Sequence, residues 1–313
     1  MVDPTPKQVD VCGYPLTIFG YDSDPYFASI ETHMPANGFL GGVMKHHLGA
    51  GSVMLDVGAN IGVTTAMANA IVPDVRVMAF EPSPKAFACL TATVKANGAR
   101  AQTTRCCVGE TDGETAFFEM DFLAGSHMIA ADHPTIHDSP ANIPVVSLDS
   151  WVEREGLERV DLVKIDVEGF ESDVLKGMTA LNARFGPLVF MEFNTFTITA
   201  YRNMSPRALL EQIRETCDTV YYEDAGRLMK AQDDGGFLAL LHKAMTTGGV
   251  VDLLFTTSPE RRAALDGHLG QTAPRLSLQP APPQPKPKSW PRRLLGPLAR
   301  RVLAVARKIE EQR

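Results

Sequence analysis

From residue 52 to residue 194 the chain alternates continuous apolar runs with helix-like stretches, and this alternation restricts the fold more than any other feature. The runs SVMLDVG, VRVMAFEP, VDLVKIDVEG and PLVFMEFN lack the strict in-and-out pattern of a half-exposed strand. Runs of that kind read as strands buried on both faces. Between them lie VTTAMANAIV, stopped by Pro73, and PKAFACLTATVKANG, closed by Gly98. FESDVLKGMTALNARFG reads as one further helix, and SLDSWVEREGL as a short one. AQTTRCCVG reads as a third strand, YPLTIFG as an early one, and DTVYYED and VVDLLFTTS as two late ones. SPRALLEQIRETC has the Ser-Pro opening of a helix. Buried strands joined by helices predict a doubly wound α/β sheet with right-handed crossovers.

In such sheets ligands sit beyond the carboxyl ends of the strands. The first strand ends in LDVGANIG, which carries Asp56, Gly58, Asn60 and Gly62. A dinucleotide fingerprint would place glycines in a GxGxxG pattern. Here the pattern is DxGxNxG, and an acidic residue in that turn repels a pyrophosphate. A ligand with an amine and no phosphate suits it better. Asp56 is then expected to accept from the amine, directly or through water. Gly58 is expected to admit the ligand, and Gly62 to let the following helix pack on the strand. Asn60 offers a polar group at the mouth. The second strand ends AFEPSP, where Glu81, followed by Pro82 and Ser83, is placed to hold a ribose diol. Gly109 ends the third strand. An amine-bearing, phosphate-free nucleoside points to S-adenosylmethionine.

The segments MLDVGANIG, AFEPSP, VVSLDSW, VDLVKIDVEGFESDVLKG and VFMEFN, in this order, resemble the FkbM family of class I S-adenosylmethionine-dependent methyltransferases. KIDVEGFE is the most diagnostic of them. The resemblance implies a Rossmann-like, seven-stranded, mostly parallel sheet whose last strand is inserted antiparallel. It also implies an O-methyltransferase, since many members are similar to enzymes acting on sugars or surface polysaccharides. The expected acceptor is a hydroxyl of a small molecule or glycan.

Methyl transfer from a sulfonium needs alignment of an acceptor lone pair and, for a hydroxyl, removal of its proton. Asp166 and Glu168 stand two apart, so an extended strand end would point both to one side. Asp166 is assigned to positioning the cofactor and to possible base work, and Glu168 to acceptor binding or general base. Glu192, ending the fifth strand, is a third polar wall. Helix capping is the structural alternative for Asp166 and Glu168. Three carboxylates could also hold a divalent metal, though no further ligand is evident and no metal site is assigned. His127, His133 and His137 form a loop cluster, with His127 as reserve base.

The five cysteines show no CxxC pair and read as buried thiols of a reducing compartment. The start has no leader pattern, and no run approaches the roughly 18 apolar residues of a membrane span, so a cytoplasmic location is expected. Net charge is −7, yet residues 285–313 carry nine Lys/Arg against Glu310 and Glu311. The rest is strongly acidic, which argues against a nucleic-acid partner. The organisation is read as an N-terminal extension (1–49), a methyltransferase domain (50–258), a Pro-rich linker (259–291) and a basic amphipathic helix (292–313). That helix is suited to docking on a protein or on the inner face of a membrane. N-methylation of a protein or nucleobase is the alternative activity, against which stands the lack of an NPPY-like motif. A non-catalytic, cofactor-binding scaffold is the alternative class.

Overall fold

The apolar runs fold as neighbouring strands of one large sheet. The computed structural model describes residues 3–119, 127–129, 141–246 and 248–268. A hairpin of β1 (Thr5–Val11) and β2 (Tyr14–Gly20) leads through α1 (Pro25–Ala28) and α2 (Ile30–His33) to α3 (Gly38–His47). Strand and helix then alternate: β3 (Val53–Val57), α4 (Val63–Ile71), β4 (Arg76–Phe80), α5 (Pro84–Ala96) and β5 (Ala101–Thr104). Four strands of a side sheet follow, β6 (Cys107–Val108), β7 (Gly113–Glu119), β8 (His127–Ile129) and β9 (Ala141–Val146). The main sheet resumes with α6 (Leu148–Arg154), β10 (Leu162–Ile165), α7 (Glu171–Lys176), α8 (Thr179–Phe185) and β11 (Leu188–Asn194). The remaining described elements are α9 (Thr195–Ala200), α10 (Pro206–Thr216), β12 (Val220–Asp224), β13 (Arg227–Ala231), α11 (Asp234–Thr246), β14 (Val250–Phe255) and α12 (Pro259–Asp266).

The main sheet runs β13-β12-β14-β11-β10-β3-β4-β5. From β5 to β11 all pairings are parallel, and β14 is antiparallel to both β11 and β12. Seven of these strands follow the expected plan, with the last one inserted antiparallel. The eighth, β13, was not read from the sequence. It is the return arm of a hairpin whose turn residues, Ala225 and Gly226, both have positive φ (48° and 76°). A two-residue turn of that kind matches the twist of the strands it joins.

Two further elements depart from the sequence reading. AQTTRCCVG is not one strand: β5 stays in the main sheet, while β6 pairs with β9 in the side sheet, Cys107 against Val145. A partner so distant in sequence leaves no local pattern. FESDVLKGMTALNARFG is two helices, broken at Gly177 and Met178. The Asp149 carboxylate of α6 accepts from the amides of Ala180 and Leu181, so it caps a new helix start there.

Both faces of the sheet are covered, as the apolar runs require. Val53, Leu55 and Val57 of β3 face a core shared with α6, α7, α8 and α10. Met54 faces the other core, which is built from β1, β2, α3 and α4. Phe39 of α3 packs on Phe190 of β11 with ring centroids 5.4 Å apart. The first fifty residues thus supply much of the cover on one face of the sheet. α12 occupies the first residues read as linker; that linker from residue 269 on, the basic helix at 292–313, His133 and His137 lie outside the described residues.

At the end of α3, His47 meets His46's neighbour in space, His268, with ring centroids 6.4 Å apart, and His46 lies 5.8 Å from the same ring. The His47 Nε2 is buried without a hydrogen bond. Burial, together with His268, His46 and Arg261, pushes its pKa down to about 4. The unfolded chain therefore binds the extra proton between about pH 6.5 and 4, and stability falls as pH drops through that window. Urea denaturation across it should show the loss in the native protein and a flatter dependence in His47→Gln. Equal slopes in the two proteins would contradict this role.

Candidate active site

β3, β4 and β10 end side by side, and beyond their carboxyl ends lies a cleft of about 620 Å³ including its open mouth. Gly58, Asn60, Glu81, Pro82, Asp166 and Glu168 line it, against an apolar wall that includes Phe80, Val108 and Phe117.

The floor of this region is a buried charge cluster. In the parallel register of β3 and β10, Lys164 stands beside Asp56. The Lys164 ammonium donates to the Gly58 carbonyl at 2.7 Å. It lies 3.6 Å from an Asp56 oxygen and 3.3 Å from an Asp166 oxygen. Burial alone would lower the lysine's pKa, but the Asp166 and Asp56 charges outweigh it and hold the ammonium above the usual lysine range. Asp56 is fully buried; its Oδ2 accepts from the Thr65 hydroxyl at 2.6 Å, and its Oδ1 has no hydrogen bond. Burial raises its pKa, with Lys164 and Thr65 opposing. Asp56 does not line the cleft, which corrects its assignment as a direct acceptor for a ligand amine. It faces α4 on the covered side of the sheet and serves as counter-charge to Lys164. Lys164 itself was missed. Its signal was present, because a lone lysine inside an apolar strand requires a buried partner.

The glycines act differently from expectation. Gly58 has φ +78°, and a Cβ there would fall 1.8 Å from the Asp166 carbonyl oxygen. The space a side chain would need is therefore filled by the end of β10 rather than reserved for a ligand. Gly62 has φ +90°, and its missing Cβ admits Leu90 and Thr93 of α5. The close packing is between that turn and α5, not between α4 and its strand. Gly109 lies off the cleft, its carbonyl 2.0 Å from where a Gly177 Cβ would stand. Ser83 is also off the cleft: buried, it caps α5 by accepting from the Ala86 amide. Asn60 and Pro82 do line it.

Glu81 is where the sequence reading put it. Its carboxylate accepts from the Asn60 amide at 2.8 Å and the Ser83 amide at 2.9 Å. Both bonds fix its direction at the cleft wall. Burial pushes its pKa up to about 7, against the pull of those two amides.

Asp166 and Glu168 both line the cleft, but not through strand alternation. β10 ends at Ile165, and Glu168 sits in a turn with φ 54°. Among the described residues five non-glycines have positive φ, and two of them, Asn60 and Glu168, line this cleft. Backbone strain of this kind concentrates at functional sites. Neither Asp166 nor Glu168 caps α7; Glu171 folds back instead to accept from the Gly169 and Val167 amides. Glu192 is not among the lining residues. It stands opposite Asp252 at the end of β11, and burial plus the charges of Asp166, Glu168, Asp252 and Glu171 raise its pKa well above the carboxylate range. Tyr26 of α1, which no motif marked, comes within electrostatic reach of this group: burial and then the Asp166 charge push its phenol up to about 12.

Cys106 and Cys107 are buried as expected, border the cleft, and have thiols that burial pushes up to about 12. The backbone of His127 lies in β8. Among the described residues no group of three His, Cys, Asp or Glu side chains is arranged to hold a metal ion. Among the same residues no helix is long and apolar enough to cross a membrane.

Lys164→Met should cost about 3–5 kcal/mol in urea denaturation, because it strands Asp56 as a buried, uncompensated charge. Adding Asp56→Asn should recover much of that loss. A double variant no more stable than the single one would show that the two side chains are not coupled.

Residues 56–223, more than half of the chain, match the family model described as "Methyltransferase FkbM domain". The chain is 29% identical over 145 residues to Methyltransferase 1 of Beauveria bassiana, covering 41% of this chain and 58% of that protein. It is 33% identical over 132 residues to the hexuronic acid methyltransferase AglP of Haloferax volcanii, covering 41% and 50%. To the 31-O-demethyl-FK506 methyltransferase FkbM of Streptomyces tacrolimicus it is 31% identical over 155 residues, covering 41% and 60%. The matches thus span between half and three-fifths of those curated relatives. The matched stretch contains the strand ends that build the cleft, and by that match the chain belongs to the FkbM methyltransferase family.

Proposed function

We propose that this protein transfers the methyl group of S-adenosylmethionine to a hydroxyl of a sugar, surface glycan or related natural product. The observation that carries this reading is the pairing, across one cleft, of a carboxylate fixed by backbone amides (Glu81) with two carboxylates at the end of β10 (Asp166 and Glu168). The residues suit the cofactor. Glu81 would take the ribose hydroxyls, Phe80 and Val108 would border the base, and Asp166 would face the amino-acid end. The cofactor supplies a methyl already activated on a cationic sulfur. Glu168 then accepts the acceptor's hydroxyl proton at its carboxylate. Asp166 is held in place by Lys164 and contributes to the negative field that suits a sulfonium. Relatives named for a hexuronic acid and for a demethylated FK506 support a hydroxyl-bearing acceptor. Attachment to a membrane surface or a protein through residues 292–313 is part of the same proposal, and deletion of 271–313 should release the protein from anionic vesicles.

Cell-envelope carbohydrate incubated with the protein and tritiated S-adenosylmethionine should become labelled at oxygen. Label only in protein or nucleic acid would overturn the reading. Glu168→Gln should lower kcat about 10²–10⁴-fold, the usual worth of a general base, with cofactor affinity unchanged.

Cofactor affinity gives a further check. The ionised Glu81 is the better acceptor for ribose hydroxyls, so affinity should be full above about pH 7 and fall as pH drops through 7. Calorimetry should find Glu81→Gln about 10–100-fold weaker, in line with a charged hydrogen bond, and without that pH dependence.

A further inference from the structure

α9 follows directly on β11 and carries Phe196, whose surface is 63% exposed. A lone exposed aromatic needs no explanation. This one is held in place from several directions. The Asn194 side chain accepts from the amides of Phe196 and Thr197 at 3.1 and 3.3 Å, which fixes the start of α9. The Phe196 ring meets Tyr201 edge to face, centroids 5.7 Å apart at 77°. The Thr197 carbonyl lies 2.7 Å from where a Gly169 Cβ would stand, so α9 rests against the turn that carries Glu168. Burial, and then the Glu168 charge, raises the Tyr201 phenol. Phe170, which lines the cleft, lies 5.5 Å from the Arg202 guanidinium, which in turn is fixed by two hydrogen bonds to Asp173. The exposed ring therefore stands on a helix seated against the Glu168 turn and meets Tyr201, whose phenol feels the Glu168 charge.

Aromatic face and carboxylate edge together match a pyranose. Its C–H face packs on an aromatic ring, and its hydroxyls donate to carboxylates. A uronate would instead bring a like charge toward Asp166 and Glu168. We infer that Phe196 is the platform on which a neutral pyranose of the acceptor stacks, with Tyr201 holding the ring's tilt and Glu168 facing the hydroxyl to be methylated. This deepens the O-methyltransferase reading and rests on it.

The test uses the full chain and two pools of cell-envelope oligosaccharide, neutral and uronate-containing, separated by anion exchange. The wild-type protein should label the neutral pool in preference. On that pool Phe196→Ala should raise KM about tenfold or more, with kcat within about twofold and calorimetric affinity for S-adenosylmethionine unchanged. Phe196→Trp should restore a low KM. Wild-type protein that labels no carbohydrate would overturn the O-methyltransferase reading and this inference with it. A wild-type protein that labels the neutral pool, with Phe196→Ala at the native KM, would overturn the platform alone. So would preferential labelling of the uronate pool, or an equal loss of cofactor affinity in Phe196→Ala.

Discussion

The site depends on one buried cation. Lys164 stands at the seam of β3 and β10, and its ammonium touches the Gly58 carbonyl while lying between Asp56 and Asp166. Removing a lysine and an aspartate from water is costly unless they find each other. They do so because the parallel register sets them side by side on one face. The consequence reaches the cleft. The first glycine turn and the end of β10 are pulled into contact so close that Gly58 can carry no side chain. Asp166, 37% exposed at its side chain, is thereby tied to a partner whose side chain is only 8% exposed. The N-terminal segment completes the arrangement, since α1 places Tyr26 within reach of Asp166 and Lys164.

From that floor the cleft takes its polarity. Glu81 on one wall is oriented by backbone amides, and Asp166 and Glu168 on the other come from a strand end and a strained turn. Glu192 stands behind them, its ionisation disfavoured by burial and by their charges. A basin of this sign suits a cationic sulfonium and a neutral acceptor, and it disfavours anionic ligands. Lys164, beneath this basin, is already engaged by carboxylates, so it offers little to a phosphate.

Much of this was legible in the sequence, and the misreadings have physical causes. The place of Glu81 at the cleft was readable because it ends the second strand and its backbone partners are local. Asp166 and Glu168 were found, although for the wrong geometrical reason: a turn, not strand alternation, brings both to the cleft. Asp56 was expected to meet the ligand directly or through water; it is fully buried and does not line the cleft, because motif reading treats a strand-end carboxylate as facing the ligand. Which face of the sheet it occupies depends on the neighbouring strand. Gly109 and Ser83 were near enough in sequence to be plausible, yet their surroundings are other backbone segments.

The sequence by itself determined the sheet and its layers, because continuous apolar runs are stable only as strands covered on both faces. It also marked the strand ends as the place for chemistry, through Asp56, Glu81 and KIDVEGFE. Only the tertiary structure decided what those residues face. The pairing of Lys164 with Asp56, the split of AQTTRCCVG between two sheets, and the seating of α9 against the Glu168 turn are contacts across neighbouring elements. Local patterns encode which residues must be buried, whereas register and crossing decide with whom they are buried.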